Sequence, residues 1–268
     1  MEASLGADWI LPVLTILLGA SMGSFAAFLA DALPRGRPVV FARSSCRSCG
    51  QILRWYEMVP ILSFLALRGR CARCGASIPV RLLQAELAGL AIGVLAVWAG
   101  VGFIGAMVLW CLLALILSDL LHYRLPNALT LGLLLLALTF VVVPRGVGSP
   151  NMAPLWQAVL GAAVGAGIFY AISWLYLVLR GRIGMGAGDI HLMGGIGALV
   201  VPVSGWVGLG MVTLIAGLTG LLLGVSRAIR RGRSLSAKTP VPFGACLGMA
   251  AALVWIAAVL RPDLFAMP

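Results

Sequence analysis

Apolar stretches of about 20 residues recur along this chain, and that is the length an α-helix needs to cross a bilayer. About eight spans are expected, at 9–33, 82–100, 102–121, 127–144, 154–180, 189–202, 205–226 and 241–260. The sixth is short and rich in glycine. Composition agrees: 62% of residues are hydrophobic and 10% charged, where soluble domains run at about 45–50% and about 25%. The expected fold is an all-α polytopic membrane protein. The first stretch lacks a basic leader and a cleavage site followed by a soluble domain, so it reads as a retained span.

A net charge of +11 raises the question of a nucleic-acid partner. Threading the spans with the first loop inside puts every basic residue except Arg145 and Arg261 on one side. That is the positive-inside pattern. Topology and attraction to anionic membrane lipid therefore explain the charge, and no nucleic-acid partner is expected. Both termini then face outward.

Residues 34–81 are not membrane-like; they are polar, Arg-rich and contain proline. They divide the chain into a first span (1–33), a cytoplasmic Cys-rich loop (34–81) and a membrane domain (82–268). A segment this short builds no core unaided and leans on a metal or disulfides. It holds CRSCG (46–50) and CARCG (71–75). Two such knuckles offer four thiolates, from Cys46, Cys49, Cys71 and Cys74, to a tetrahedral zinc ion. The glycine after each lets backbone N–H groups approach the sulfurs. Two disulfides are the competing reading, disfavoured because cytoplasmic thiols stay reduced. A closed four-Cys site folds a loop rather than doing chemistry.

Only eight residues are acidic. Glu2, Asp8 and Asp263 lie near the termini. Asp31 ends the first span beside arginines, Glu57 lies in the loop, and Glu86 lies near the loop end of the second span. Asp119, in ILSDLLHYRLPN (116–127), and Asp189, in GMGAGDIHLM (184–193), remain. The threading used basic residues alone, yet it puts both at one depth on the cytoplasmic side. A carboxylate in a span is costly and points to function. A helix cap or an arginine partner explains one such residue, and two coplanar ones less well. Two adjacent carboxyls do not readily both ionise, so one holds a proton while the other is charged. Such a pair activates water and protonates a leaving amine, as aspartic proteases do. Gly184, Gly186 and Gly188 permit unusual backbone angles and remove bulk, so an extended substrate can approach Asp189. Leu125-Pro126 helps fix the turn after Asp119.

These residues resemble the type IV prepilin leader peptidase and N-methyltransferase family, bacterial membrane aspartic proteases with a G-x-G-D motif. The resemblance runs over nearly the whole chain: GSF (23–25), RSSCRSCG (43–50), WYEMVPILS (55–63), GRCARCG (69–75), Asp119 with Leu125-Pro126, Gly186 to Asp189, and PFG (242–244). It implies that Asp119 and Asp189 are catalytic at the cytoplasmic face of the bacterial inner membrane, which would make the outward side of both termini the periplasm. It implies prepilin or pseudopilin substrates, cut after a glycine between a short basic leader and an apolar helix. Members with the cysteine loop often methylate the new N-terminal residue from S-adenosylmethionine. That cofactor comes by resemblance alone, with Glu57 and the loop arginines as candidates by position. His191 stands where the family has lysine, and Asn127 where it has aspartate. His191 is a candidate modulator of the dyad when protonated, or simply a helix-surface residue.

Two other classes compete. A proton- or cation-coupled transporter with a zinc-binding regulatory loop accounts for the buried acids but not their place at one membrane face. A scaffold docking through the loop leaves the G-x-G-D turn unexplained.

Overall fold

A computed structural model describes residues 9–39, 43–143, 155–182, 184–230 and 241–265. Glu2, Asp8, Arg145, Arg231, Arg233 and Lys238, used in the charge argument, lie outside the described residues. The helices are α1 (Ile10–Ala32), α2 (Leu62–Ala66), α3 (Val80–Trp98), α4 (Gly102–His122), α5 (Asn127–Val142), α6 (Leu155–Arg180), α7 (Ala187–Arg230) and α8 (Phe243–Leu260). Among the described residues the only extended pairing is two isolated bridges, Ser45 with Ile52 and Arg70 with Ser77.

Six helices are long and apolar enough to cross a membrane: α1, α3, α4, α6, α7 and α8. The expected spans at 82–100, 102–121, 154–180 and 241–260 are α3, α4, α6 and α8. The expected fourth span is α5, shorter at 16 residues. The expected sixth and seventh are one element, α7, of 44 residues, broken by non-helical Gly205 (φ 63°, ψ −164°). A straight helix of that length would measure about 66 Å. Yet Asp189, in its first turn, lies within electrostatic range of Asp119, and Arg227, near its other end, donates to the Tyr123 hydroxyl at 3.2 Å. Asp119 and Tyr123 both sit at the end of α4. The element therefore doubles back at Gly205 as a helical hairpin.

The chain divides into two compact units, Met1–Ala106 and Met107–Pro268. In the first, α1 packs on α3 along a seam of glycines four residues apart, Gly19 and Gly23 against Gly89 and Gly93. A Cβ at Gly19 would stand 2.7 Å from the Gly89 carbonyl oxygen, and one at Gly93 2.8 Å from that of Thr15. Small residues let backbones close on each other where lipid offers no hydrophobic drive. In the second unit, α7 packs against α5, α6 and α8. Residues 192–201 are buried on every side, as expected of an all-apolar helix at the centre of a bundle. Gly161 and Gly165 of α6 admit this segment; a Cβ at Gly165 would lie 2.7 Å from the Met193 carbonyl oxygen.

Candidate active site and metal centre

Asp119 sits in the last turn of α4 and is buried. Its Oδ2 accepts the backbone N–H of Ala245 at 2.8 Å. Ala245 is in the first turn of α8, where N–H groups lack helical partners. A helix N-terminus is a ready anion seat, and α8 aims its own at this carboxylate. Gly244 makes the approach possible. A Cβ there would stand 3.2 Å from Asp119 Oδ2 and 2.7 Å from Leu125 Cδ1. The chain leaves α4 through a tight turn: Tyr123 takes a left-handed conformation (φ 53°), and Ser118 Oγ donates to the Arg124 carbonyl at 2.7 Å. That turn brings Leu125 back over the site.

Asp189 lies on the first turn of α7, half-buried, its N–H donated to the Gly186 carbonyl at 3.1 Å. Leu125 joins the two aspartate segments, because a Cβ at Gly188 would stand 2.8 Å from the Leu125 Cβ. The two aspartate segments thus share a wall at Leu125. Gly184 and Gly186 are exposed ahead of them, so one side of Asp189 is open. A Cβ at Gly184 would meet the Tyr176 ring, while one at Gly186 would come only within 3.6 Å of Asp189 Oδ2. His191 is exposed. Two residues beyond Asp189 on a helix, it points away from the Asp189 face.

The loop of the first unit brings its four cysteine sulfurs within 4.8 Å of one another, an arrangement that could hold a metal ion. The two knuckles repeat each other's bonds: Gly50 N–H to the Cys46 carbonyl and Gly75 N–H to that of Cys71, at 2.9 and 3.0 Å. Both glycines need positive φ, 69° and 68°. N–H groups of Cys49 and Ser48 aimed at the Cys46 sulfur draw its thiol down to about 6. For Cys74 the Ala76 N–H acts in the same sense, but lost hydration and hydrogen bonds with the Cys49, Cys71 and Cys46 sulfurs prevail and push it up to about 11. Cys46 thus takes a negative charge readily and Cys74 resists one beside it, a conflict that a bound cation would offset.

Two buried carboxylates tie this loop to the helices. Asp31 of α1 pairs with Arg35 and with Arg47, inside the first knuckle, each at 3.1 Å. Glu86 of α3 accepts Ser24 Oγ at 3.0 Å and the Ile61 N–H at 2.7 Å. Glu57 accepts the Arg54 N–H at 2.7 Å and so caps its own turn. Sequence reasoning missed the Glu86 tie and the roles of Ala245, Gly244 and Leu125. PFG and the residues around Leu125 were visible as motifs, but not as partners of Asp119.

Residues 17–100 match the model of the bacterial peptidase A24 N-terminal domain, and residues 106–225 that of the type IV leader peptidase family. The chain is similar to the prepilin leader peptidase/N-methyltransferase of Pseudomonas aeruginosa, 34% identical over 271 residues that cover 90% of this chain and 89% of that one. Those of Stutzerimonas stutzeri and Burkholderia pseudomallei (strain 1026b) are 37% and 38% identical over 218 residues. These alignments cover 79% and 80% of this chain, and 71% and 67% of the relatives. No solved structure matches the chain. With kinship spread so evenly along its length and two family models meeting where α3 passes to α4, the chain belongs to the type IV leader peptidase family.

Proposed function

We propose that this protein is a membrane aspartic endopeptidase that removes the short basic leader of type IV prepilins and pseudopilins, then N-methylates the residue so exposed. The observation that supports this is the convergence of the Asp119 and Asp189 segments, far apart in sequence, on Leu125, with Gly184 and Gly186 exposed beside Asp189. The scissile peptide lies along Gly184 and Gly186. One carboxylate takes a proton from water as the water oxygen attacks the carbonyl carbon. The other, protonated, donates its proton to the carbonyl oxygen; the first then passes the water's proton to the leaving nitrogen while the second takes back a hydroxyl proton, and the C–N bond breaks. The Ala245 N–H holds Asp119 in place through the cycle. The arginine distribution supports a cytoplasmic site in the bacterial inner membrane with periplasmic termini. A basic leader then stays among cytoplasmic charges while its apolar helix remains in lipid, which presents the bond between them at the depth of the aspartates.

Cys46, Cys49, Cys71 and Cys74 suit a structural zinc ion. At a Zn–S length of about 2.3 Å, a tetrahedron has sulfur–sulfur edges of about 3.8 Å, and Cys46 and Cys74 stand 3.8 Å apart. The ion would hold the loop folded. The methyl group would come from S-adenosylmethionine, with residues 34–81 serving that step and 82–268 the hydrolysis. Glu57, the loop's single carboxylate, is committed to its Arg54 cap and is not assigned to that cofactor.

The test is cleavage of a purified prepilin by enzyme in detergent, read by mass spectrometry. Asp119→Asn and Asp189→Asn should each slow cleavage by at least about 10²–10⁴-fold while the protein is still made and inserted. Full activity in either variant overturns the proposal. A product heavier by one methyl group establishes the second step.

A further inference from the structure

The first unit carries an apolar patch that its own packing leaves uncovered. Trp55 is 77% exposed, Leu62 65% and Leu65 61%, with Tyr56 and Met58 also outward. The short 3-10 turn at Trp55–Met58 lies against α2, and Leu62 and Leu65 share one face of that helix. Exposed Arg54 precedes this stretch and exposed Arg68 and Arg70 follow it in the chain. Aromatic, aliphatic and basic side chains in this mixture suit the boundary between acyl chains and headgroups. They do not suit open water.

Depth supplies an independent argument. The Ile61 N–H, one residue ahead of α2, is held by Glu86. Glu86 lies six residues inside α3, about 9 Å along its axis. Its side chain leans back toward the helix start by at most about one turn, or 5 Å. The same carboxylate binds Ser24, eight residues before the end of α1, about 12 Å in. Since the 19 residues of α3 rise about 28 Å, close to the hydrocarbon thickness, α2 begins below the helix ends rather than beyond them. Ile61 is a β-branched residue at φ 64°, a strained conformation kept only where the surroundings impose it. Here the Glu86 bond imposes it and turns the chain into α2.

We propose that residues 55–65 form an interfacial anchor. Trp55, Leu62 and Leu65 enter the boundary of the bilayer leaflet, while Arg54, Arg68 and Arg70 contact anionic phospholipid headgroups. The occupant of the patch is lipid and not substrate, because these arginines share the sign of a basic leader. The cysteine loop is then fastened to the membrane surface and does not project into water.

The experiment places a photoactivatable phenylalanine at Leu65 in the full-length enzyme, reconstituted in vesicles of phosphatidylethanolamine and phosphatidylglycerol, with the same residue at Arg73 in the second knuckle as control. Mass spectrometry should find lipid adducts about tenfold more abundant at Leu65, with phosphatidylglycerol enriched about twofold over its share. Leu62 and Trp55 carry the same expectation, so a misfolded single variant does not decide the matter. Equal lipid yields at Leu65 and Arg73, or adducts mainly to added prepilin or to the chain itself, overturn the anchor. Lipid adducts without phosphatidylglycerol enrichment overturn its headgroup half.

Discussion

Gly244 illustrates how finely the acid pair depends on single atoms. It is the residue that lets the α8 N-terminus reach Asp119, and a methyl group there meets both the carboxylate and Leu125. Gly244→Ala should therefore slow turnover by about 10²-fold, as small displacements in catalytic sites do, with substrate affinity little changed. Steady-state kinetics on a prepilin, separating kcat from KM, checks this. Legibility at this scale is uneven. Asp119, Asp189 and the four cysteines stand out from the sequence because carboxylates in apolar helices and paired C-x-x-C knuckles are locally conspicuous. The Ala245 N–H, the Leu125 contact and the Glu86–Ile61 tie are not, since each is a long-range meeting of ordinary residues. His191 is a candidate dyad neighbour only through the family resemblance, with a helix-surface residue as its other reading, and it is exposed two residues beyond Asp189.

Among the elements, α7 is the instructive one. Its two legs are legible as separate spans because Pro202 and Gly205 interrupt the apolar run. Their closure into a hairpin is not, because it rests on Asp189 and Arg227 both meeting the end of α4. Gly205 occupies backbone space open essentially to glycine alone. Gly205→Ala should cost about 1–3 kcal/mol, lower the melting temperature in detergent and depress cleavage in proportion to the folded fraction lost. Thermal unfolding followed beside activity measures both. The short α5 falls below spanning length because polar Asn127 and the preceding Pro126 fix its start.

For the whole molecule, the proposed chemistries fall in different units. The aspartates belong to the second, and the cysteines to the first. Cys46→Ser should lower zinc content and abolish methylation, while leader cleavage persists. Treating the native enzyme with a strong chelator should do the same, because the two knuckles lean on a shared ion for their fold. Metal analysis with mass spectrometry of the product reads all three quantities. The division into a cysteine-bearing front and a membrane rear is legible from composition, which shifts sharply at residues 34 and 82.

The hairpin in α7 has a mechanical meaning. One leg begins beside Asp189, where Gly188 meets Leu125, and the other ends on Tyr123, so the two tips of a single clothes-peg both touch the turn that follows α4. Prising the legs apart would also separate the acids. The spacing of the two acids is thus set partly by a backbone bend about sixteen residues away from Asp189, at Gly205.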